Sequence, residues 1–502
     1  MPVKKISIFG KPREIAPLLL LLVGAMVLRI PSLFEPYWYG DEGIYLTLGE
    51  AARHGLTWYK DIHDNKPPLL YLLAAISGSV FWFRLILLFW HAATLVLFWD
   101  LANKLFDRNK RAIVLSAAIF TLLTTIPLLE GNIANAEIFM IGPTIAGFLL
   151  LFTQRLTTGR LFLAGLFFSL STLFKVPAAF DMLTIVLFWA TLAFFRWGEI
   201  LTVVKNSLVL ALGFITPILA TFVYFGAKGA LNPYINAVWL QNLNYVGRWS
   251  IPKITAGSLS FEAGLPFRGI ILVLVLLIIF VFRKRFNKVA LFASLWFSVS
   301  LFAATLSGRP YPHYLIEIIP PLALLLGLVS FGQERFRFLP LPLLFLLLSS
   351  LIFYKFYYYP TFSYYGNFLA YAAQQKTQED YFLYFGEKVP RTYKLAQTIT
   401  SKTAPNDRVF IWGTEPETYA LSRRLPVGRY TTSYHIRDFG GEEETLNSLK
   451  RKLPKYIIVV KDEEQLAGLR SFLEENYIYL ETIMGAEVWR AVGPNIAKAL
   501  SL

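Results

Sequence analysis

Two adjacent carboxylates, Asp41 and Glu42, follow directly on an apolar run, and the next stretch brings Asp61, His63, Asp64 and Lys66 before the double proline Pro67-Pro68. Ionisable groups beside a membrane segment are costly to desolvate, so a concentration of them in an otherwise apolar chain marks a functional site. A solvated loop gathers the same residue types. Two later connections add to the set: Glu130, Asn132, Asn135 and Glu137 in one, and Arg309, His313 and Tyr314 in the other. Carboxylates of this kind can act as general bases, and cations beside them can hold an anionic group.

The elements that must position these residues are membrane helices. The chain has 502 residues, 55% of them hydrophobic and 16% aromatic, with a mean hydropathy of +0.50, far above soluble usage. It contains no cysteine, which excludes disulfides, thiolate catalysis and Cys-ligated metals. The net charge of +15 is that of a polytopic protein with Lys and Arg on its cytoplasmic loops, so no nucleic-acid partner is expected.

Lys4, Lys5, Lys11 and Arg13 precede the apolar run Ile15 to Phe34, which reads as an uncleaved first helix with its N-terminus inside. The Trp38 to Pro68 loop then faces outward. Leu69 to Val80 is too short to cross and suits the interface, and a second span covers roughly Phe83 to Lys104. Basic turns recur at Lys104 to Arg111, Arg155 to Arg160, Arg196 to Lys205, Arg283 to Lys288 and Arg335 to Arg337, the positive-inside pattern. Leu161 to Phe195, interrupted by Lys175 and Pro177, is expected to be a helical hairpin turning at the outer face. About eleven transmembrane helices follow at roughly 20 residues each, with the N-terminus in and the C-terminus out.

Composition changes after the tyrosine belt at Tyr354 to Tyr365. Arg408 to Trp412 and Tyr456 to Val460 read as buried strands, Glu415 to Arg423 and Glu463 to Asn476 as helices. The expected fold is a polytopic α-helical membrane protein with a C-terminal extracytoplasmic α/β domain: residues 1–356 form the transmembrane part, with an outward loop at 35–82, and residues 357–502 the appended domain.

Glycosyl transfer from a lipid-linked sugar phosphate suits the outward residues. Phosphate leaves as a stable anion, whereas glycoside hydrolysis needs a second carboxyl to protonate an alkoxide. One base is enough: Asp41 or Glu42 would take the acceptor's proton, while Lys66, Arg309 and His313 hold the phosphate. His63 and Asp64 read as a polar pair that positions Lys66. Glu130 and Glu137 offer oxygen ligands that, with Asp41, suit Mg or Mn, although no paired-aspartate motif accompanies them and no cofactor is required. Trp239 to Tyr245 is a candidate acceptor groove, and Arg423, Arg429 and Tyr434 are candidates for acceptor specificity.

WYGDEGIY at 38–45, DNKPPLLYLL at 64–73, GNIANAEIF at 131–139, LFKVPAA at 173–179 and PHYLIEIIPPLALLLG at 312–327 together resemble the membrane glycosyltransferases of the C fold. The groups they resemble are the dolichyl-phosphate-mannose-protein mannosyltransferase-like superfamily and the bacterial transferases that put aminoarabinose on lipid A. The resemblance spans roughly Ile15 to Phe356. It implies a polyprenyl-phosphate sugar donor, inversion at the anomeric carbon, and a lipid, glycan or protein acceptor entering from outside a plasma or inner membrane. It places Asp41 as catalytic carboxylate, Glu42 beside it, Lys66 near the donor phosphate, and His313 and Tyr314 in a loop near the donor, with Lys175 as a supporting basic residue. Two rival readings are a lipid-linked glycan transporter or flippase, which predicts ionisable residues at mid-span and matched halves, and a non-catalytic envelope glycan assembly protein.

Overall fold

A computed structural model of the chain describes residues 12–153, 155–194, 196–242, 264–332, 336–461 and 463–492. Lys4, Lys5, Lys11, Arg335 and residues 243–245 of the expected acceptor groove lie outside the described residues.

Helix dominates, and its lengths follow from the apolar runs. Among the described residues, six helices are long and apolar enough to cross a bilayer: Ile15–Phe34, Val80–Leu105, Val176–Ala193, Trp197–Ala227, Lys288–Thr305 and Pro312–Phe331. Each has at least the 18 residues that span roughly 27–30 Å at 1.5 Å per residue. Ala136–Leu151, Leu265–Val281 and Leu341–Phe353 are apolar but shorter. Nine apolar helices thus stand against the expected eleven or so. Lys110–Leu123 and Thr158–Thr172, at 14 and 15 residues, are two further helices in segments where spans are expected.

The chain divides into two compact units. The first takes residues up to Ser32, Ile86–Thr221 and Asn242–Thr361; the second takes Leu33–Leu85, Phe222–Gln241 and residues from Phe362 on. The first loop, expected within the membrane part, therefore shares its unit with the C-terminal domain.

In the first unit, α1 (Pro12–Arg29) is followed by a 3-10 turn at Ile30–Phe34. The expected hairpin within Leu161 to Phe195 is present as two helices, Thr158–Thr172 and Ala179–Ala193, separated by a 3-10 turn at Val176–Ala178. Pro177 causes the break, because it lacks the N–H that a continuous helix needs. Lys288–Thr305 and Pro312–Phe331 form the interior of this unit, with 83% and 78% of their spans buried, whereas Trp197–Ala227 is only 17% buried and turns Leu201, Leu208 and Leu212 outward, as a lipid-facing helix should. Its close crossing with Thr158–Thr172 depends on Gly165 and Gly213: a Cβ on either would stand 2.1 Å from a carbonyl oxygen of the other helix. Small residues at such a crossing let two backbones approach.

In the second unit, α2 (Gly40–Arg53) packs on α3 (Leu69–Ser77). At nine residues α3 is too short to cross, as expected. The C-terminal part carries a four-stranded sheet, β1 (Val409–Trp412), β2 (Tyr456–Val460), β3 (Tyr477–Ile483) and β4 (Ala486–Ala491), in the order β1-β2-β4-β3. β1 and β2 are parallel and joined through helices, while β2 with β4 and β4 with β3 are antiparallel. Phe410, Trp412, Ile457 and Trp489 pack one face and Val409, Ile411, Ile458 and Val488 the other; burial on both faces explains why β1 and β2 are continuous apolar runs. The expected helix at Glu463 to Asn476 begins only at Leu469, and the β3–β4 hairpin, turning at Met484 and Gly485 with positive φ, was not anticipated.

Candidate active site

The first turn of α2 carries Gly40, Asp41 and Glu42, where the helix dipole favours negative charge. Successive residues are rotated by about 100° around a helix, so the two carboxylates cannot share an environment. Asp41 Oδ2 accepts a hydrogen bond from the Tyr45 hydroxyl at 2.9 Å and lies 3.3 Å from Lys66 Nζ. The ammonium also stands over the Tyr45 ring, 4.9 Å from its centroid. The side chains of Lys66 and Asp41 are 23% and 30% exposed, so solvent or a substrate can reach the pair.

Glu42 faces the other way. Arg84 Nε and Nη2 reach its two oxygens at 2.9 and 2.5 Å, and Arg84 Nη1 lies 2.8 Å from Glu35. Glu35 also accepts from Trp38 Nε1 at 2.6 Å and from the Tyr364 hydroxyl at 2.5 Å. Glu42 is 1% exposed and Arg84 1%. Such a buried ion triad holds α2, the start of the Val80–Leu105 helix and the Thr361–Ala372 helix in register. It occupies both Glu42 oxygens, in place of the open catalytic position expected for them.

The backbone of Lys66 is gripped on both sides. The Tyr59 hydroxyl donates to its carbonyl at 2.9 Å, and its N–H donates to the Tyr71 hydroxyl at 3.0 Å, which in turn donates to Asp64 Oδ2 at 2.7 Å. Asp64 is thus linked to the Lys66 backbone through Tyr71. His63 does not pair with it: its ring lies edge-on against Tyr430 and Phe439, with centroids 5.3 and 4.8 Å away. Burial, reinforced by the nearby His435, pushes the His63 imidazole down to about 4.

The C-terminal domain builds part of this unit. Gly43 on α2 meets the helix Pro416–Ser422, where a Cβ would stand 2.6 Å from the Glu417 nitrogen. The His63 N–H donates to the Arg429 carbonyl at 2.7 Å. The acceptor-specificity candidates differ: Arg429 pairs with Glu444 at 2.8 Å, Arg423 is exposed in a left-handed turn, and Tyr434 packs against His435.

The remaining candidates form a second cluster, in the first unit. His313 Nδ1 lies 2.5 Å from Glu130 Oε2, and its Nε2 lies 3.7 Å from Glu137. Lys175 pairs with Glu137 and sits 3.8 Å from the centroid of the Tyr314 ring. Asn135 donates to Glu130 at 3.1 Å. Arg309 lies exposed on the turn before. Glu130 and Glu137, expected with Asp41 as candidate ligands of a divalent cation, are here engaged by His313 and Lys175. Among the described residues no group of three or more His, Asp or Glu is placed to hold a metal.

Glu35, Arg84, Tyr59, Tyr71 and His435 were not singled out from the sequence. Arg84 had a signal, a lone cation four residues into an apolar helix.

No protein-family model matches the sequence, and no curated protein matches it. Solved structures do. ArnT from Cupriavidus metallidurans bound to undecaprenyl phosphate superposes with a TM-score of 0.59 at 14% identity, covering 95% of this chain and 98% of that one. Its apo state gives 0.58 at 14% identity, with 94% and 97% covered. The archaeal oligosaccharyltransferase AglB from Archaeoglobus fulgidus, in complex with an inhibitory peptide and a dolichol-phosphate, is more distant, with a TM-score of 0.48, 12% identity and 96% and 74% covered. The chain is a membrane protein with the C fold of membrane glycosyltransferases.

Proposed function

We propose that this protein is an inverting glycosyltransferase that moves a sugar from a polyprenyl-phosphate donor to a hydroxyl, or similar nucleophile, of a lipid, glycan or protein on the outer face of the membrane. The observation that carries the reading is the Asp41–Lys66 pair, a carboxylate and an ammonium 3.3 Å apart and both partly exposed, while Glu35, Glu42 and Asp64 around them are buried. An ArnT structure with undecaprenyl phosphate bound supports the choice of donor.

In this mechanism Asp41 accepts the proton of the attacking acceptor as its oxygen bonds to the anomeric carbon. The bond from that carbon to the phosphate oxygen breaks on the opposite face, which inverts the centre. Lys66 takes up the charge developing on the departing phosphate, and its ammonium is aimed by a backbone already fixed at both N–H and C=O, so little reorganisation is needed at the moment of reaction. Glu42 supports the helix through Arg84 and takes no part in proton transfer.

The test is transfer from a panel of radiolabelled polyprenyl-phosphate sugars into membrane fractions by purified wild type and Asp41→Asn. Label should move with wild type and fall by at least about 100-fold in the variant. Equal transfer by both would remove Asp41 as the base; no transfer by folded wild type from any donor would remove the glycosyltransferase reading itself.

A further inference from the structure

We infer that the first unit binds the phosphate-bearing headgroup of an anionic membrane lipid, in a cavity where the helix Lys110–Leu123 begins and the helix Ile319–Phe331 ends. The inference goes beyond the proposed reaction and does not depend on it.

The cavity measures about 730 Å³, and its lining includes Asn109, Lys110, Arg111, Phe331, Gly332 and Arg337. That is the size of a ligand site, but the described lining holds three cations and no carboxylate, which suits an anion. The cations come from two basic turns far apart in the sequence, Lys104 to Arg111 and Arg335 to Arg337. Basic turns are general on cytoplasmic loops; their convergence on one cavity is particular to this fold.

The walls of the cavity are fixed by the packing of the two helices. They run antiparallel and close together, because Gly327 faces Ala112 and Ser116: a Cβ at Gly327 would stand 2.8 Å from the Ala112 carbonyl oxygen. Asn109 then clamps their ends. Its Oδ1 accepts from the Ala112 N–H at 3.3 Å, and its Nδ2 donates to the Phe331 carbonyl at 2.8 Å. Arg337 Nη1 donates to the Gly332 carbonyl at 2.9 Å. The C-terminal end of a helix ordinarily repels an anion, but these two carbonyls are engaged, while the start of the helix Lys110–Leu123 adds its own positive end. Arg111 is exposed and makes no ion pair or hydrogen bond among the described residues. Its guanidinium can therefore meet a phosphate with two parallel N–H donors.

The surroundings favour a lipid over a soluble phosphate. The spanning helix Pro312–Phe331 ends at this cavity, and Phe331, Phe336 and Phe338 are exposed beside it. Arg337 stands 4.7 Å from the Phe338 ring centroid, and Arg285 stands 5.9 Å from that of Phe336. Cations interleaved with exposed rings at the end of a span offer contacts to both the phosphate and the acyl chain of one molecule.

The test titrates the purified full-length protein in detergent with dioleoylphosphatidylglycerol or dioleoylphosphatidylcholine and reads bound lipid by native mass spectrometry. Wild type should bind phosphatidylglycerol at least about 10-fold more tightly, and Arg111→Gln should lose about fivefold of that preference, the factor expected for one cation near an anionic lipid. Arg108→Gln removes the same charge from the same turn at a residue that does not line the cavity, and should change the preference by less than about twofold. Unfolding midpoints in phosphatidylcholine should be equal for all three proteins, which separates loss of lipid from loss of fold. Equal losses of preference in the two variants would reduce the site to a diffuse basic surface and overturn the inference, as would a wild type that does not distinguish the lipids. Binding of inorganic phosphate as tight as that of phosphatidylglycerol would assign the cavity to a soluble phosphate and overturn the choice of a lipid.

Discussion

Replacing the two adjacent carboxylates one at a time separates their roles. In Glu42→Gln, one of the two oxygens held by Arg84 at 2.9 and 2.5 Å becomes an NH2 group facing an N–H donor. A hydrogen bond between charged groups contributes about 1.5–3 kcal/mol, and removing one partner of a buried pair costs about 3–5 kcal/mol. Glu35 still pairs with Arg84 at 2.8 Å, so the loss should fall near 2–3 kcal/mol. Asp41→Asn disturbs a pair that is 23% and 30% exposed, and exposed pairs contribute only about 0–1 kcal/mol. Thermal unfolding of the purified protein in detergent should therefore show a clear drop in midpoint for Glu42→Gln and almost none for Asp41→Asn, while transfer at a temperature where both are folded should show the reverse order. A Glu42→Gln protein with wild-type unfolding and no transfer would refute the assignment of Glu42 to Arg84 and make it the base. Replacing all three of Glu35, Glu42 and Arg84 by neutral residues of similar volume should restore much of the stability lost in Arg84→Leu, because the buried charges leave together.

Three further outcomes are expected. Gly43→Ala places a methyl 2.6 Å from the Glu417 nitrogen, backbone that cannot swing aside, and should cost about 1–3 kcal/mol, read as increased protease access to the C-terminal domain. His63 prefers the neutral form in the folded protein, at about 4 against an ordinary 6.5, so its contribution is intact above pH 6.5 and is lost as pH falls toward 4, by about 3 kcal/mol; the fall in unfolding midpoint between pH 7.5 and 4.5 should shrink in His63→Phe. In Glu417 burial outweighs the ion pair with Lys388 and raises the carboxyl above its usual range, so this group's contribution is present at acid pH and declines as pH rises past the ordinary carboxylate range. Glu417→Gln should flatten that decline, and a steeper one would contradict it.

The legible parts of the chain are those governed by neighbours in sequence. Strand Tyr456–Val460 matches its apolar run residue for residue, Val80–Leu105 and Ile15–Phe34 match theirs to within a few residues, and Pro177 breaks the helix where expected. The β3–β4 hairpin was hidden because β3 buries only Tyr477 and carries Glu481 and Thr482, a weak pattern beside the preceding helix.

At the site, sequence alone determined that acidic and basic residues gather between Trp38 and Pro68, beside an apolar run, because desolvation makes such residues conspicuous there. The tertiary structure decided how they divide. Helical rotation sends Asp41 toward Lys66 and Glu42 toward Arg84, and no pattern within DE distinguishes the two. It also brought His435 from the far end of the chain beside Asp64. Ion pairs and hydrogen bonds are set by distance in space, and partners separated by hundreds of residues leave no periodicity for a single sequence to display.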